Sequence, residues 1–555
     1  MRYDLVIRNG TVVDGSGAAR RYADVAVLDG RIAAVGRVDD SGRQEIDAEG
    51  QVVAPGFVDS HTHMDAQVFW NEPGTSSCWN GVTTVVMGNC GFTLAPSRPD
   101  EEALVVRNLE RAEDISAAAM AAGIDWTWST FAEYLDAVDA TPKGINYAGS
   151  IGHSALRTWA MGERAFTETA TPDDLETMVR ELDDALHAGA VGFTTSRSHS
   201  HETSDDRPVA SRQASWDEVV ALVEHVGRHG RGGFQLAPEP GISPSGEPND
   251  FNVRLQQLAL TTRVPVIYGV IGGLGTDLID DTVARGGRMY GLTHCRGVSE
   301  AQSFQTSLVF DRLPEWQELR SRPLEEQRAL LRDPEVRARL VHAARHGDYG
   351  NRLGPDASRP NFERMQVMLS PYRPNPTVAQ VAAERGVDPV DAIIDLALEH
   401  DFELFFLQYY ADRDDDALLA MLRNPNTAMT FSDAGAHVSQ IIDSSIHSYL
   451  LAYWVRERQA LTLEEAVQMM TSRSARIWGL DDRGLLREGF AADVTIFDPD
   501  TVGPAMPELV HDLPGGARRL ALRGEGYRAV VVNGEVLMRD GEATDARPGR
   551  LLRAH

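Results

Sequence analysis

Lysine is almost absent from this 555-residue chain: Lys143 stands alone. Positive charge is scarce in general, with 53 Lys plus Arg against 82 Asp plus Glu, a formal net charge of −29. A field of that sign repels phosphate backbones, so nucleic acid is disfavoured as a partner. A solvated acidic surface accounts for the charge without any partner. Three cysteines, Cys78, Cys90 and Cys295, are too few for a disulfide framework and fit a reducing compartment. No window offers the roughly 18 consecutive apolar residues of a membrane span, so no membrane partner is expected. The opening MRYDLVIRNG lacks the charged and apolar regions of a secretory signal and alternates like a strand, which makes a cytoplasmic location the expectation.

What is present falls into two ends that look alike and a middle that does not. Residues 3–55 and 491–538 give short alternating apolar runs, with Asn9-Gly10, Asp29-Gly30 and Asn533-Gly534 as hairpin-type turns between them. Strands at both termini flanking a large middle predict one small β-sandwich, built from residues 1–55 and 481–555. In between, eight apolar runs recur: 56–63, 82–91, 145–153, 190–197, 232–239, 264–271, 288–296 and 427–437. Near-continuous apolar runs suit parallel strands buried on both faces. The intervening segments carry helix signals. Thr171-Pro172-Asp173-Asp174 places a cap, a proline and two acids at a helix start, and Ser215 with Glu218 reads as a capping box. Strands alternating with helices predict an α/β fold, a (β/α)8 TIM-type barrel over 56–480. Residues 297–425 are too long for a loop and read as a helical insertion between the seventh and eighth strands.

The chemistry-bearing residues sit at the ends of these runs. His61 and His63 follow the first strand, and alternate residues on a strand face the same way, so both imidazoles can point at one metal ion at the C-terminal mouth. Asp433, in FSDAGAH, ends the eighth strand, which closes against the first. A carboxylate beside an activated water can take its proton and later deliver it to a leaving nitrogen. Cys90 ends the second strand, where a thiolate is a soft ligand suited to zinc; on position alone, an inert core cysteine is the commoner case.

VVAPGFVDSHTHMD, GVTTVVMGNCGFTLAP, GHSALR, SDAGAH and DRGLLREGFAADVTIFD together resemble the amidohydrolase superfamily, and within it the N-acyl-D-amino-acid deacylase (D-aminoacylase) group. The resemblance spans nearly the whole chain. It implies a barrel on a split β-sandwich, zinc, and hydrolysis of the amide of an N-acyl amino acid. It also implies that His61, His63 and Asp433 bind one zinc position. Cys90 then stands where related enzymes carry a carbamylated lysine. The lysine count separates those relatives: hydantoinase- and dihydroorotase-like enzymes need that lysine at the end of the fourth strand, and here the strand ends Thr195-Ser196-Arg197.

The sequence also departs from the D-aminoacylase pattern, which supplies histidines from the ends of strands five and six to a second zinc. Here those ends read Gln235-Leu236-Ala237-Pro238-Glu239 and Tyr268-Gly269-Val270. Three outcomes stay open: a single zinc on His61, His63, Asp433 and Cys90; replacement of the missing ligands by Glu239, His199 or His201; or loss of the metal. One firmly held zinc is the expectation carried forward. Arg197 and Arg296 are candidate clamps for a substrate carboxylate, and His201 and His437 are candidate donors to an oxyanion. His153 resembles a family position near the site. The expected partner is a small N-acylated, carboxylate-bearing substrate, with a homo-oligomer allowed. Two other readings remain: the same apparatus acting on a cyclic imide, lactam or lactone, or a degenerate barrel with a binding role only.

Overall fold

The computed structural model describes residues 2–239, 250–270, 275–350, 359–411 and 414–554. All eight apolar runs contain strands. In chain order these are Phe57–Asp59 with His61–Thr62, Val82–Met87, Asn146–Gly149 with Ile151–Gly152, Gly192–Ser196, Gly233–Ala237, Val266–Gly269, Met289–Thr293, and Thr427–Met429 with Phe431–Ala434. Ile271, the last residue of the sixth run, lies outside the described residues. Each strand pairs in parallel with the next, and Phe431–Ala434 pairs in parallel with His61–Thr62. The first, third and eighth strands are each broken by one residue (Ser60, Ser150 and Thr430), and different halves serve the two neighbours.

The helices between strands start where the chain signals them. Thr171 caps Pro172–His187 with a reciprocal bond to Asp174. Ser215 accepts from the Glu218 amide at the start of Trp216–His229, but the expected reciprocal half of that capping box is missing. The Glu218 carboxylate turns inward instead, to His153 Nε2 at 2.9 Å and to Arg157 Nη1 at 2.6 Å. A buried guanidinium with no exposed side-chain surface needs a counter-charge more than a helix start needs a second cap.

The two chain ends meet. Val52–Pro55 pairs antiparallel with Val494–Phe497, joining N- and C-terminal strands in one nine-stranded sheet. Asp29-Gly30 and Asn533-Gly534 are hairpin turns within it, with positive φ at all four residues. Asn9-Gly10 is not. The strand Tyr3–Val12 runs straight through it, with a register shift between Ile7 and Gly10 against the neighbouring strand. Asn9 at φ 59° bends out of the ladder, and its amide donates to Asp24 Oδ1 at 2.9 Å, so the expected hairpin is a bulge.

The segment after the seventh strand carries the helices Pro314–Arg320, Leu324–Leu330, Pro334–His346, Val378–Arg385 and Pro389–Glu399. It also carries an antiparallel sheet of Val298–Gln302, Phe406–Ala411 and Gln366–Val367 that the sequence reading lacked. Phe304, Phe310, Trp316, Leu340, Ile394 and Phe406 give it a core of its own. The helix Asp415–Arg423 instead packs Leu418, Met421 and Leu422 into the main core around the parallel strands. The insertion's first strand is fastened beside the segment after the eighth strand, where the Ala301 amide donates to the Gln440 carbonyl at 2.6 Å. Among the described residues, no helix is long and apolar enough to cross a membrane.

Candidate metal centre

His61, His63, Cys90 and Asp433 come together at the C-terminal ends of the first, second and eighth strands. The ligand atoms of His61, His63 and Cys90 all lie within 4.8 Å of one another, and all three residues are buried. Cys90 Sγ is 3.4 Å from His61 Nε2. Asp433 Oδ1 is 3.2 Å from His61 Nε2 and 3.4 Å from His63 Nε2.

Local sequence explains why these side chains face inward. The turn after the second strand is Gly88-Asn89-Cys90-Gly91, with φ of 80° at Gly88, 55° at Cys90 and 79° at Gly91. Asn89 Nδ2 pins this turn by donating to the Thr62 carbonyl at 3.0 Å and the Val86 carbonyl at 2.9 Å. The Cys90 amide donates to Gln235 Oε1 at 2.7 Å, so the fifth strand supports the cysteine backbone. On the other side, Ser432 donates from its hydroxyl to Asp59 and accepts from the Ala434 amide at 3.0 Å. Asp433 is thereby held at φ 52°. Non-glycine residues in the left-handed region are uncommon and concentrate at functional sites.

One carboxylate here was not foreseen. Glu113, in the segment between the helices Glu102–Glu110 and Ala117–Gly123, lies 3.5 Å by Oε2 from His63 Nε2 and 3.6 Å from His437 Nε2. His294 was also passed over. It directly follows the seventh strand, is buried with neither ring nitrogen bonded, and packs on Phe431, whose other neighbour is His61. A histidine one residue past a strand end was a signal available in the sequence; Glu113, on no strand, gave none.

The other candidates fall into two groups. His201 and His437 reach the site: His201 Nδ1 is 2.7 Å from Ser196 Oγ, and its ring packs near Phe92. Arg197 and Arg296 have their forks engaged inside the protein. Arg197 bonds Glu239 Oε1 from Nε and Nη2 at 3.2 and 3.1 Å, which also occupies the carboxylate considered as a replacement ligand. Arg296 bonds Asp443 at 2.9 Å and the Ile442 carbonyl, and is buried over Tyr449. His153 is buried between Thr195 and Glu218. His199 is half-buried.

The electrostatics are those of a negative cavity. Burial, together with the charges of Asp433 and Asp65, pushes the Glu113 carboxyl well above the usual range. Burial and the charges of Glu113 and Asp433 do the same to the Cys90 thiol. Burial opposes ionisation of Asp433 as well, but the close approach of His61 and His63 overcomes that and holds its carboxyl well below the ordinary value. Burial and the neighbouring His437 and His63 push His201 down to about 3, so its ring is neutral. Asp65 is raised to about 7 by burial against one bond from the Gly88 amide. His63 Nε2, Asp433 Oδ1, Glu113 Oε1 and Asp65 Oδ1 are buried without a hydrogen-bond partner. Unsatisfied buried acceptors beside imidazole nitrogens are the signature expected of donors arranged for a cation.

A model of the amidohydrolase family matches residues 44–538. The chain belongs to the amidohydrolase family. It resembles the D-aminoacylase of Alcaligenes xylosoxydans xylosoxydans, at 27% identity over 99% of this chain and 97% of that one. A solved D-aminoacylase, described with a binuclear metal centre showing one-metal activation and second-metal attenuation, superposes with a TM-score of 0.66 at 26% identity, covering 99% of this chain and all of that one. The N-acyl-D-glutamate deacylase of Bordetella bronchiseptica, solved with zinc and a phosphonate inhibitor, gives a TM-score of 0.66 at 26% identity over the full length of both. This amidohydrolase is accordingly a hydrolase of carbon–nitrogen bonds other than peptide bonds, similar to the D-aminoacylases.

Proposed function

We propose that the chain is a zinc-dependent hydrolase that cleaves the amide C–N bond of an N-acyl amino acid, with D-amino acids favoured by the relatives it resembles. The observation that carries this is the convergence of His61, His63, Cys90 and Asp433 with buried, unpartnered donor atoms. Two imidazoles, a thiolate and a carboxylate are a donor set that fits zinc. The supporting frame is read as a closed (β/α)8 barrel over 56–480, carrying the insertion and resting on a β-sandwich from 1–55 and 481–555. The ordered parallel pairing that returns from the eighth strand to the first supports that reading.

A divalent ion held by these residues supplies Lewis acidity to the acyl carbonyl and lowers the pKa of water. The protein's part is the proton and the geometry. Asp433 accepts a proton from the attacking water as the new C–O bond forms. It returns that proton to the leaving nitrogen as the C–N bond breaks, so acid and amine leave with atoms balanced. His201 Nδ1 is 2.7 Å from the Ser196 hydroxyl; assigned as the acceptor there, the neutral ring carries its proton on Nε2 and can donate it to the developing oxyanion. Asp433→Asn removes the proton acceptor and should abolish hydrolysis of N-acyl-D-amino acids while the circular dichroism spectrum is kept. Turnover at the wild-type rate in that variant would remove Asp433 from the mechanism.

A second reading, the same apparatus acting on a cyclic imide, lactam or lactone, draws on one observation. The two arginines that would clamp a substrate carboxylate are already bonded to Glu239 and Asp443. A parallel screen of N-acyl amino acids and cyclic imides separates the two.

A further inference from the structure

Six donor atoms, not four, meet at this mouth. They form an unbroken series: Cys90 Sγ to His61 Nε2 at 3.4 Å, on to Asp433 Oδ1 at 3.2 Å, to His63 Nε2 at 3.4 Å, to Glu113 Oε2 at 3.5 Å, and to His437 Nε2 at 3.6 Å. Two donors on one tetrahedral zinc, each about 2.0–2.1 Å from the ion, stand about 3.4 Å apart. Nitrogen–oxygen hydrogen bonds would instead bring them to about 2.9 Å. Apart from the 3.2 Å step from His61 to Asp433, which a hydrogen bond also spans, the series has the spacing of donors that share ions. One tetrahedral ion takes four donors, and Glu113 and His437 are the surplus pair.

That pair is built in rather than incidental. The His437 amide donates to the Glu113 carbonyl at 2.6 Å, which ties the inter-helix segment to the turn after the eighth strand. Glu113 is 2% exposed. Its Oε1 and His437 Nδ1 are both buried without a partner. Among the described residues, the ion-pair partners of Glu113 are His63 and His437, with no arginine. Fifth- and sixth-strand histidines are missing, Gln235 from the fifth strand being occupied by the Cys90 amide.

We propose that Glu113 and His437 hold a second divalent cation on the His63 side of the first, in a position of this chain's own making. This rests on the first ion being held by His61, His63, Cys90 and Asp433. The second ion turns a negative cavity into one that accepts an anionic substrate carboxylate, a role for which Arg197 and Arg296 have no free fork.

The test is a cobalt titration of the full-length, chelator-treated protein, with equivalents confirmed by elemental analysis of the zinc-loaded form. Wild type should take up two equivalents. The first should bring a thiolate-to-cobalt charge-transfer band from Cys90, and the second only ligand-field absorption, since carboxylate and imidazole carry no sulfur. Glu113→Gln and His437→Ala should each stop at one equivalent with the thiolate band intact; where the first fails to fold, the second carries the test. Wild type saturating at one equivalent, or folded Glu113→Gln still taking two, overturns the second site and leaves the hydrolase reading standing. Wild type taking none overturns the first site, and the second with it.

Discussion

Gly435, just past the eighth strand, packs directly against the backbone that follows the first, and replacing it with alanine tests whether the spacing of those strands sets the metal site. A Cβ built at Gly435 would sit 2.4 Å from the His63 carbonyl oxygen and 2.8 Å from the Met64 amide, all of it backbone that no rotamer change can clear. Ordinary van der Waals contact needs about 3.5 Å, so the two strands must part by about 1 Å. His63 moves with one strand and Asp433 with the other. Metal sites tolerate errors of only about 0.2 Å in donor distance, so zinc affinity should fall by about 100-fold or more. The positive φ of 94° adds a separate stability cost, about 1–2 kcal/mol for an L-residue. Gly489→Ala isolates that second cost, because Gly489 has φ 86° and a methyl group there would meet nothing within 4 Å. Competition with a chromophoric chelator gives the affinities, and thermal unfolding the stabilities. Gly435→Ala should lose zinc while Gly489→Ala keeps it. Equal zinc affinity in the two variants would refute the claim that strand spacing governs the site.

Arg157→Met should cost about 3–5 kcal/mol in guanidinium unfolding, because it leaves the buried Glu218 carboxylate with His153 alone; a loss below about 1 kcal/mol would contradict that pairing. Burial raises the Glu181 carboxyl from 4.5 to about 7 against a bond from the Phe131 amide. The folded chain therefore holds this proton after the unfolded chain has lost it, and stability falls as pH rises from about 4.5 through about 7. Glu181→Gln keeps the acceptor for Phe131 and should be the more stable protein at pH 8, by at most roughly 3 kcal/mol, with no gain at pH 4. Denaturant midpoints at the two pH values check it. His61→Ala should lose zinc and activity together, read by elemental analysis beside the hydrolysis assay, and activity without zinc would refute the metal role of that imidazole.

The parallel strands were legible because burial on both faces writes itself as unbroken apolar runs, and His61 and His63 because a two-residue repeat fixes their common face. Asp433 and Cys90 were legible by place, each at a strand end. What the sequence hid depended on distant partners. Nothing in Arg197 announces Glu239, or in Arg296 announces Asp443, so forks that read as open clamps are closed. Glu113 lies between helices, where no periodicity gives a direction. The insertion's sheet was hidden because its strands are weak in themselves. Val298–Gln302 reads VSEAQ, and Gln366–Val367 is two residues long, so pairing with Phe406–Ala411 makes them strands. At Asn9-Gly10 the local turn signal was real, but the pairing on both sides of it overrode a hairpin.

The backbone around the donors argues that the site is set before any ion arrives. Cys90, Asp433 and His437 hold φ values of 55°, 52° and 47°, a conformation that costs of order 1–3 kcal/mol each unless the surroundings impose it. The surroundings do impose it, through Asn89 on one side and Ser432 on the other. Imidazole and carboxylate left to themselves would close to hydrogen-bonding distance, about half an ångström nearer than the 3.4 Å between His63 Nε2 and Asp433 Oδ1. They stay apart, with both atoms unsatisfied, because each is carried on a strand end that cannot move toward the other. A buried acid–imidazole cluster serving stability alone would gain by relaxing; one held open at the spacing of shared ligands gains only when a cation enters.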